Sequence, residues 1–164
     1  MPHRPTTLIE DWLPFDAIGA ESLRERGASS ALPPLYFLHV WWARRPLTIS
    51  RAAILASLLP SWEELAGAQR AVPLRDKHFP TEEAYRAWFL RLLGIHGDPV
   101  AGRKLIQWAR ERDVTLKGGP YGGAPRAFTV NPTSEDLALL AGLLALTWGD
   151  SSNDLSREDG SNDL

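Results

Sequence analysis

The spacing of apolar residues along this chain predicts a mainly helical fold. Apolar positions recur at the three- and four-residue intervals of an α-helix in six segments. Capping residues support three of these helices, because Thr81, Asp98, and Thr133 or Ser134 can each accept a hydrogen bond from the first turn that follows. The predicted helices cover residues 15–26, 48–59, 62–68, 82–93, 99–112 and 134–146.

The same periodicity predicts which side chains face the core. The apolar side chains expected to point inward are Ile18, Leu23, Ile49, Ala52, Ala53, Ala56, Leu59, Tyr85, Trp88, Phe89, Leu92, Leu105, Trp108 and Ala109. Three charged side chains of the first long helix, Glu21, Arg24 and Glu25, are expected to face solvent, since charged residues are seldom buried.

Three segments depart from the helical pattern. Residues 35–42, LYFLHVWW, are dense in aromatic and branched side chains, which favours strand or extended structure. Residues 128–130 predict a second short strand, and GGPYGG at residues 118–123 predicts a flexible connector. The predicted fold class is therefore a small helical domain with one or two short strands.

The last predicted helix is apolar on most of its sides. A helix of this kind is usually buried or covered by a partner. The leucines Leu137, Leu140 and Leu144 share one face, so they are the candidate docking surface for another protein domain.

Composition and charge set limits on this fold. The 164 residues predict one domain over residues 1–149, followed by a disordered acidic tail at residues 150–164. The chain has no cysteine, which excludes disulfides and a cysteine-built zinc site and suits a reducing cytoplasm. It has no apolar run of the roughly 18 residues that a transmembrane helix needs.

The net charge of −2 is unevenly divided along the sequence. Residues from 150 onward hold five acids and one base, whereas the preceding 149 residues hold 17 basic and 15 acidic side chains. A body charge of +2 permits a local contact with nucleic acid but does not require one.

The most distinctive segment is HVWWARRPL at residues 39–47, where two tryptophans and two arginines stand close together with no acid nearby. Such a segment can form a surface that stacks on planar groups and binds phosphates or carboxylates. The structural alternative is that Trp41 and Trp42 belong to the core while Arg44 and Arg45 pair with acids of the same domain.

Residues 8–27 (LIEDWLPFDAIGAESLRERG) and 39–60 (HVWWARRPLTISRAAILASLLP) resemble the N-terminal region of a bacterial and archaeal family of adenine-specific DNA methylases. Some members of that family carry a zinc ribbon, and the N-terminal region is a domain of unknown function. The resemblance is carried by the frame LH.WWARRPL...RA.....LLP. It resumes more loosely at residues 127–140.

This resemblance implies a role beside DNA or S-adenosylmethionine in the complete family enzyme. Arg44 and Arg45 would contact phosphate or the carboxylate of the cofactor, while Trp41 or Trp42 would stack or pack. The implied binding residues are His39, Trp41, Trp42, Arg44, Arg45 and Arg51.

The sequence contains no methyltransferase active site of its own. It lacks the glycine-rich cofactor turn and the Asp/Asn-Pro-Pro-aromatic loop that hold the cofactor and the flipped base. Its four histidines show no spacing typical of metal ligands. We therefore predict no catalytic or metal-binding residue and expect no methyl transfer by this chain alone.

Three hypotheses follow. The chain is the non-catalytic N-terminal module of such a methyltransferase, of the restriction-modification or phage-defence kind. It would help form the DNA or cofactor side or dock a separate catalytic domain. Alternatively, it is a stand-alone DNA-binding or protein-interaction module, or the relic of a truncated gene.

Overall fold

The computed structural model describes residues 4–27 and 46–149. The predicted mainly helical fold is confirmed in these ranges. The helices are α1 (Leu8–Asp11), α2 (Phe15–Gly27), α3 (Leu47–Leu58), α4 (Trp62–Gly67), α5 (Val72–His78), α6 (Glu82–Leu92), α7 (Pro99–Glu111) and α8 (Ser134–Trp148). The predicted strand at residues 35–42 and the predicted disordered tail lie outside the described residues.

Three helices begin at the capping residues that the sequence predicted, and at the first of them, α6, the Thr81 hydroxyl accepts a hydrogen bond from the Ala84 N–H at 3.3 Å. The Asp98 carboxylate accepts a hydrogen bond from the Ala101 N–H at 2.9 Å, at the start of α7. The Thr133 hydroxyl accepts one from the Asp136 N–H at 3.1 Å, at the start of α8. Each contact satisfies a backbone donor that the helix itself leaves without a partner.

The chain divides into two compact units, each built from separate stretches of sequence. Among the described residues, unit 1 comprises 4–13, 55–86 and 133–149, and unit 2 comprises 14–27, 46–54 and 87–132. Because α3 and α6 each cross a boundary, their two ends contribute to different units.

The core of unit 1 is organised around Tyr85. Its ring lies edge-on to Phe79 at a centroid distance of 5.2 Å, and its hydroxyl donates a 2.8 Å hydrogen bond to the Pro60 carbonyl. Burial raises the pKa of Tyr85, because the charged phenolate would lose its hydration. The N-terminal segment joins this core through a hydrogen bond of 2.8 Å from the Leu8 N–H to the Leu59 carbonyl.

The short helix α1 in unit 1 begins with a capping box. The Glu10 carboxylate accepts hydrogen bonds of 2.8 Å from both the N–H and the hydroxyl of Thr7. These hydrogen bonds lower the pKa of Glu10. The carboxylate form therefore stabilises the helix start above the ordinary pKa, and this contribution is lost as the pH falls through the lowered value.

The predicted strand at residues 128–130 is wrong. Residues Ala127–Thr129 form a 3₁₀ turn instead. Its hydrogen bonds are local, because both the N–H and the hydroxyl of Thr129 donate to the Arg126 carbonyl, at 2.9 and 2.8 Å. The Ala127 N–H donates to a side chain of α2 at 3.1 Å, so the segment is satisfied without a neighbouring strand.

The predicted orientation of α2 is correct for Ile18, which is buried, but wrong for Glu21 and Leu23. Glu21 is buried, with 2% of its surface exposed, while Leu23 is 45% exposed. The prediction assumed that charged residues face water, but Glu21 and Arg24 satisfy each other and the backbone of a neighbouring loop. A charged pair with this many partners can be buried despite the cost of removing it from water.

In α7, only Ala109 of the three predicted inward residues is buried, whereas Leu105 and Trp108 are exposed. The buried side of this helix consists instead of the small residues Pro99, Gly102 and Ala109. Small residues allow neighbouring backbone and rings to approach the helix closely, so the bulky residues lie on its outer side. Ile49 of α3 is likewise exposed, although Ala52, Ala56 and Leu59 of its predicted stripe are buried.

Candidate nucleic-acid interface

The two units carry opposite charge. Among the described residues, unit 2 holds ten basic and six acidic side chains, a net charge of +4. The described residues of unit 1 hold five basic and nine acidic side chains, a net charge of −4. The near-neutral total therefore conceals a basic unit, and a concentration of positive charge of this kind favours contact with a polyanion.

The WWARR motif directly precedes α3 in the sequence, and the start of α3 is held by a side chain of unit 2. The Glu25 carboxylate of α2 accepts hydrogen bonds from the Leu47 N–H at 2.8 Å, the Thr48 N–H at 3.3 Å and the Thr48 hydroxyl at 3.1 Å. This carboxylate caps α3 from another helix and also suits the positive end of the helix dipole. It holds the residues on either side of segment 28–45 close together.

Five of the six predicted binding residues, His39, Trp41, Trp42, Arg44 and Arg45, lie outside the described residues. In the sequence, Arg45 is followed directly by Pro46, the residue before α3.

The sixth predicted binding residue, Arg51, lies on α3 and is partly buried. Its guanidinium donates to the Val130 carbonyl at 2.8 Å, and more weakly to the Ala127 carbonyl and the Asn131 side chain at 3.4 and 3.5 Å. In this structure Arg51 fastens the segment after the 3₁₀ turn to α3.

A second arginine, Arg24, forms a contact that the sequence did not predict. It pairs with Glu21 at 3.0 Å, donates to the carbonyls of Ala124 and Pro125, and lies over the Tyr121 ring at 4.0 Å from its centroid. Tyr121 belongs to the GGPYGG segment that the sequence predicted to be a flexible connector. The structure shows a turn that Arg24 holds against α2.

The same segment packs closely on α7 at Gly102. A Cβ atom at Gly102 would lie 2.4 Å from Cδ1 of Tyr121 and 2.9 Å from the Pro120 carbonyl oxygen. Only a glycine permits this approach. A sequence signal was present, since a glycine in the middle of a predicted helix often marks a close contact.

A groove between α2 and α7 lies on the surface of unit 2. It has a volume of about 350 Å³ and combines apolar, basic and small residues. Phe15 is 73% exposed at its edge. The lining residues are Phe15, Asp16, Gly19, Ala20, Leu23, Val100, Arg103, Lys104 and Gln107.

The two cations of this groove are available for an external anion. Arg103 and Lys104 are exposed on α7, and neither forms an ion pair with another residue in the part of the chain that the structure describes. Gln107 donates to Glu111 at 3.1 Å, one turn farther along α7. The carboxylate in the groove is that of Asp16, at its α2 edge.

The candidate docking leucines lie on α8 in unit 1. Leu137 is 50% exposed, whereas Leu140 and Leu144 are partly buried. A neighbouring side of the helix contributes the buried Leu139 and Leu143. The predicted face thus contains one half-exposed leucine and two that also contribute to packing.

One known protein family matches part of the chain. The model of a family described as protein of unknown function (DUF1156) matches residues 12–89. This range includes the whole WWARRPL frame. No curated protein and no solved structure matches the chain.

Neither a membrane helix nor a metal cluster is found in the described ranges. No helix among residues 4–27 and 46–149 is long and apolar enough to cross a bilayer. The same residues contain no group of three or more histidine, aspartate or glutamate side chains that could hold a metal ion.

Proposed function

We propose that this chain is the non-catalytic N-terminal module of an adenine-specific DNA methyltransferase of the restriction-modification or phage-defence kind, in which unit 2 contacts DNA. The observation that carries the proposal is the net charge of +4 on the described residues of unit 2, whose helix α3 directly follows the WWARR motif in the sequence and is capped by Glu25 of α2. The methylase resemblance of the WWARRPL frame supports it, and that frame lies within the family-model match over residues 12–89.

The cap of α3 also determines how the motif would bind phosphate. A free helix N-terminus is a ready anion site. At α3, however, the Glu25 carboxylate already accepts from the Leu47 and Thr48 N–H groups. A phosphate would therefore be bound by the guanidinium groups of Arg44 and Arg45, which match phosphate with paired donors.

The catalytic chemistry would come from a separate catalytic domain. That domain would supply the S-adenosylmethionine site and the loop that holds the target adenine, neither of which this sequence contains. The present chain would contribute charge, stacking rings and a surface for docking. Its partners are thus the catalytic domain and DNA.

Removing the paired arginines should weaken DNA binding. We expect the Arg44→Ala/Arg45→Ala variant to bind a fluorescein-labelled duplex about tenfold or more weakly at low salt. The slope of log affinity against log salt should fall by about 1–2, because roughly 0.9 is lost for each phosphate contact. Fluorescence anisotropy over a salt series measures both quantities.

The matched control is Arg70→Ala/Lys77→Ala, which removes two cations from unit 1 and changes the net charge equally. It should retain the wild-type salt slope. An equal loss in the two variants would show that only total charge matters, and it would contradict a specific role for the WWARR motif.

A second candidate function is docking of the catalytic domain through α8. It is favoured by the exposure of Leu137 at 50% on a helix that is apolar on most sides.

We expect Leu137→Gln to weaken association with the catalytic domain about tenfold, in line with the loss of one buried leucine at an interface. Isothermal calorimetry would measure it, with Ala138→Gln on the same helix as the control. Equal affinities for the two variants would argue against docking at this face.

A further inference from the structure

We propose that the groove between α2 and α7 binds a segment of single-stranded DNA, with Phe15 stacking on a base and Arg103 and Lys104 contacting phosphates. The inference rests on the proposed function, which places DNA on unit 2, and adds a second surface distinct from the WWARR motif. Three observations support it: the exposed ring, the unpaired cations and the charge of the unit.

The exposure of Phe15 favours a stacking partner. At 73% exposure, the ring keeps most of its surface in water although it begins a helix that buries Ile18 and Ala20. An exposed aromatic face beside cations is the usual composition of single-strand binding surfaces, because every base offers a planar face. A base within a duplex is already stacked on both sides and offers no such face.

The cations of the groove favour a phosphate backbone. Arg103 and Lys104 are adjacent on α7, and within the described residues no carboxylate pairs with either of them. Unit 2 carries a net charge of +4 in its described residues. Asp16 at the opposite edge of the groove would repel phosphate, so the backbone should follow α7 while the base lies toward Phe15.

The size of the groove suits a single nucleotide rather than a folded partner. Its volume of about 350 Å³ falls at the lower end of pockets that hold small ligands. Gly19 leaves the α2 wall open, because a Cβ atom there would have no neighbour within 4 Å. Unpaired nucleotides would arise during the proposed function, since enzymes that modify a base in duplex DNA first take it out of the stack.

The stacking contact is tested by replacing Phe15. We expect Phe15→Ala to weaken binding of a short fluorescein-labelled single-stranded DNA about tenfold, since a base–aromatic stack is worth roughly that much. Phe15→Tyr should restore binding because it keeps the ring. Both variants should fold normally, as the ring is mostly in solvent. Wild-type affinity in Phe15→Ala would overturn the proposal.

Two matched pairs test the groove and its charge. Gly19→Glu places a carboxylate in the groove and should weaken single-strand binding more than Gly19→Gln, which adds a side chain of the same size. Arg103→Ala/Lys104→Ala should weaken it more than Arg70→Ala/Lys77→Ala, which removes the same residue types from unit 1. Equal effects within either pair would contradict binding in this groove.

Competition by an acidic polypeptide distinguishes a groove that binds DNA from a groove that binds peptides. If polyglutamate competes as well as unlabelled oligonucleotide, the groove is a site for acidic peptides and the DNA assignment is wrong.

Duplex binding, measured for the same variants, separates the role of the groove from the role of the WWARR motif. Loss of duplex binding in Arg44→Ala/Arg45→Ala, with single-strand binding unchanged in Phe15→Ala, would overturn only the groove. The opposite result would support the groove and overturn the role of the WWARR motif.

Discussion

Replacing Glu21 by alanine is expected to lower the free energy of unfolding by about 3–5 kcal/mol, the cost of removing one partner from a buried ion pair. The substitution leaves Arg24 in a largely buried position without its carboxylate at 3.0 Å. It also leaves the Ala127 N–H without its 3.1 Å acceptor. Urea unfolding followed by tryptophan fluorescence would measure the loss.

A double variant keeps this prediction testable if Glu21→Ala does not fold. Glu21→Leu/Arg24→Met replaces both charges by apolar side chains of similar length and should be clearly more stable than Glu21→Ala. The reason is that replacing both members of a buried ion pair often changes the free energy of unfolding little, whereas leaving a single charge buried without its partner lowers it strongly. If the double variant is less stable than the single one, the pair is not the origin of the effect.

The Glu21–Arg24 pair lies on the same helix as residues that line the groove. Glu21 and Arg24 hold the 3₁₀ turn and the GGPYGG segment on one side of α2. Phe15, Gly19 and Leu23 line the groove on another side. With Glu21 and Arg24 engaged inside the unit, α2 presents Phe15 and Leu23 to solvent, although an ordinary surface helix presents polar residues there.

Sequence periodicity predicted the elements of this fold better than their orientation. For α6 the prediction was correct in both the position of the helix and its orientation, because Tyr85, Trp88 and Phe89 form one continuous apolar stripe that is buried. Periodicity failed for Glu21 in α2, because the groups that satisfy its carboxylate include the N–H of Ala127, which lies 106 residues away in sequence. Hydrophobicity alone cannot show that a charged side chain will find such partners.

The candidate site was only partly visible in the sequence for a similar reason. The sequence identified Arg44 and Arg45 as anion-binding residues, and this remains a prediction. It could not show that Glu25 caps α3, the helix that follows them in the sequence, since this cap comes from a different helix rather than from the residue before Leu47. Nor could it show the opposite charges of the two units, because each unit combines distant stretches of the chain.

The second large effect is expected at Gly94, the residue that follows α6 and its last turn. Gly94 has a φ of +80°, which an L side chain rarely adopts, and a Cβ atom there would lie 2.3 Å from the Ala127 carbonyl oxygen. We expect Gly94→Ala to lower the free energy of unfolding by about 3 kcal/mol or more, from backbone strain and from displacement of the turn.

Gly97→Ala is the matched control for Gly94→Ala, because it isolates the backbone strain. Gly97 has a similar φ of +74°, but a Cβ atom there would meet only the Ala124 Cβ, at an ordinary 3.7 Å. It should therefore cost about 1–2 kcal/mol, the penalty of the left-handed conformation alone. The difference between the two variants in the free energy of unfolding, measured in urea, gives the energetic contribution of the close contact between Gly94 and the 3₁₀ turn. Arg51 and Glu21 also form hydrogen bonds to this turn. Equal losses would mean that this approach contributes nothing to the stability of unit 2.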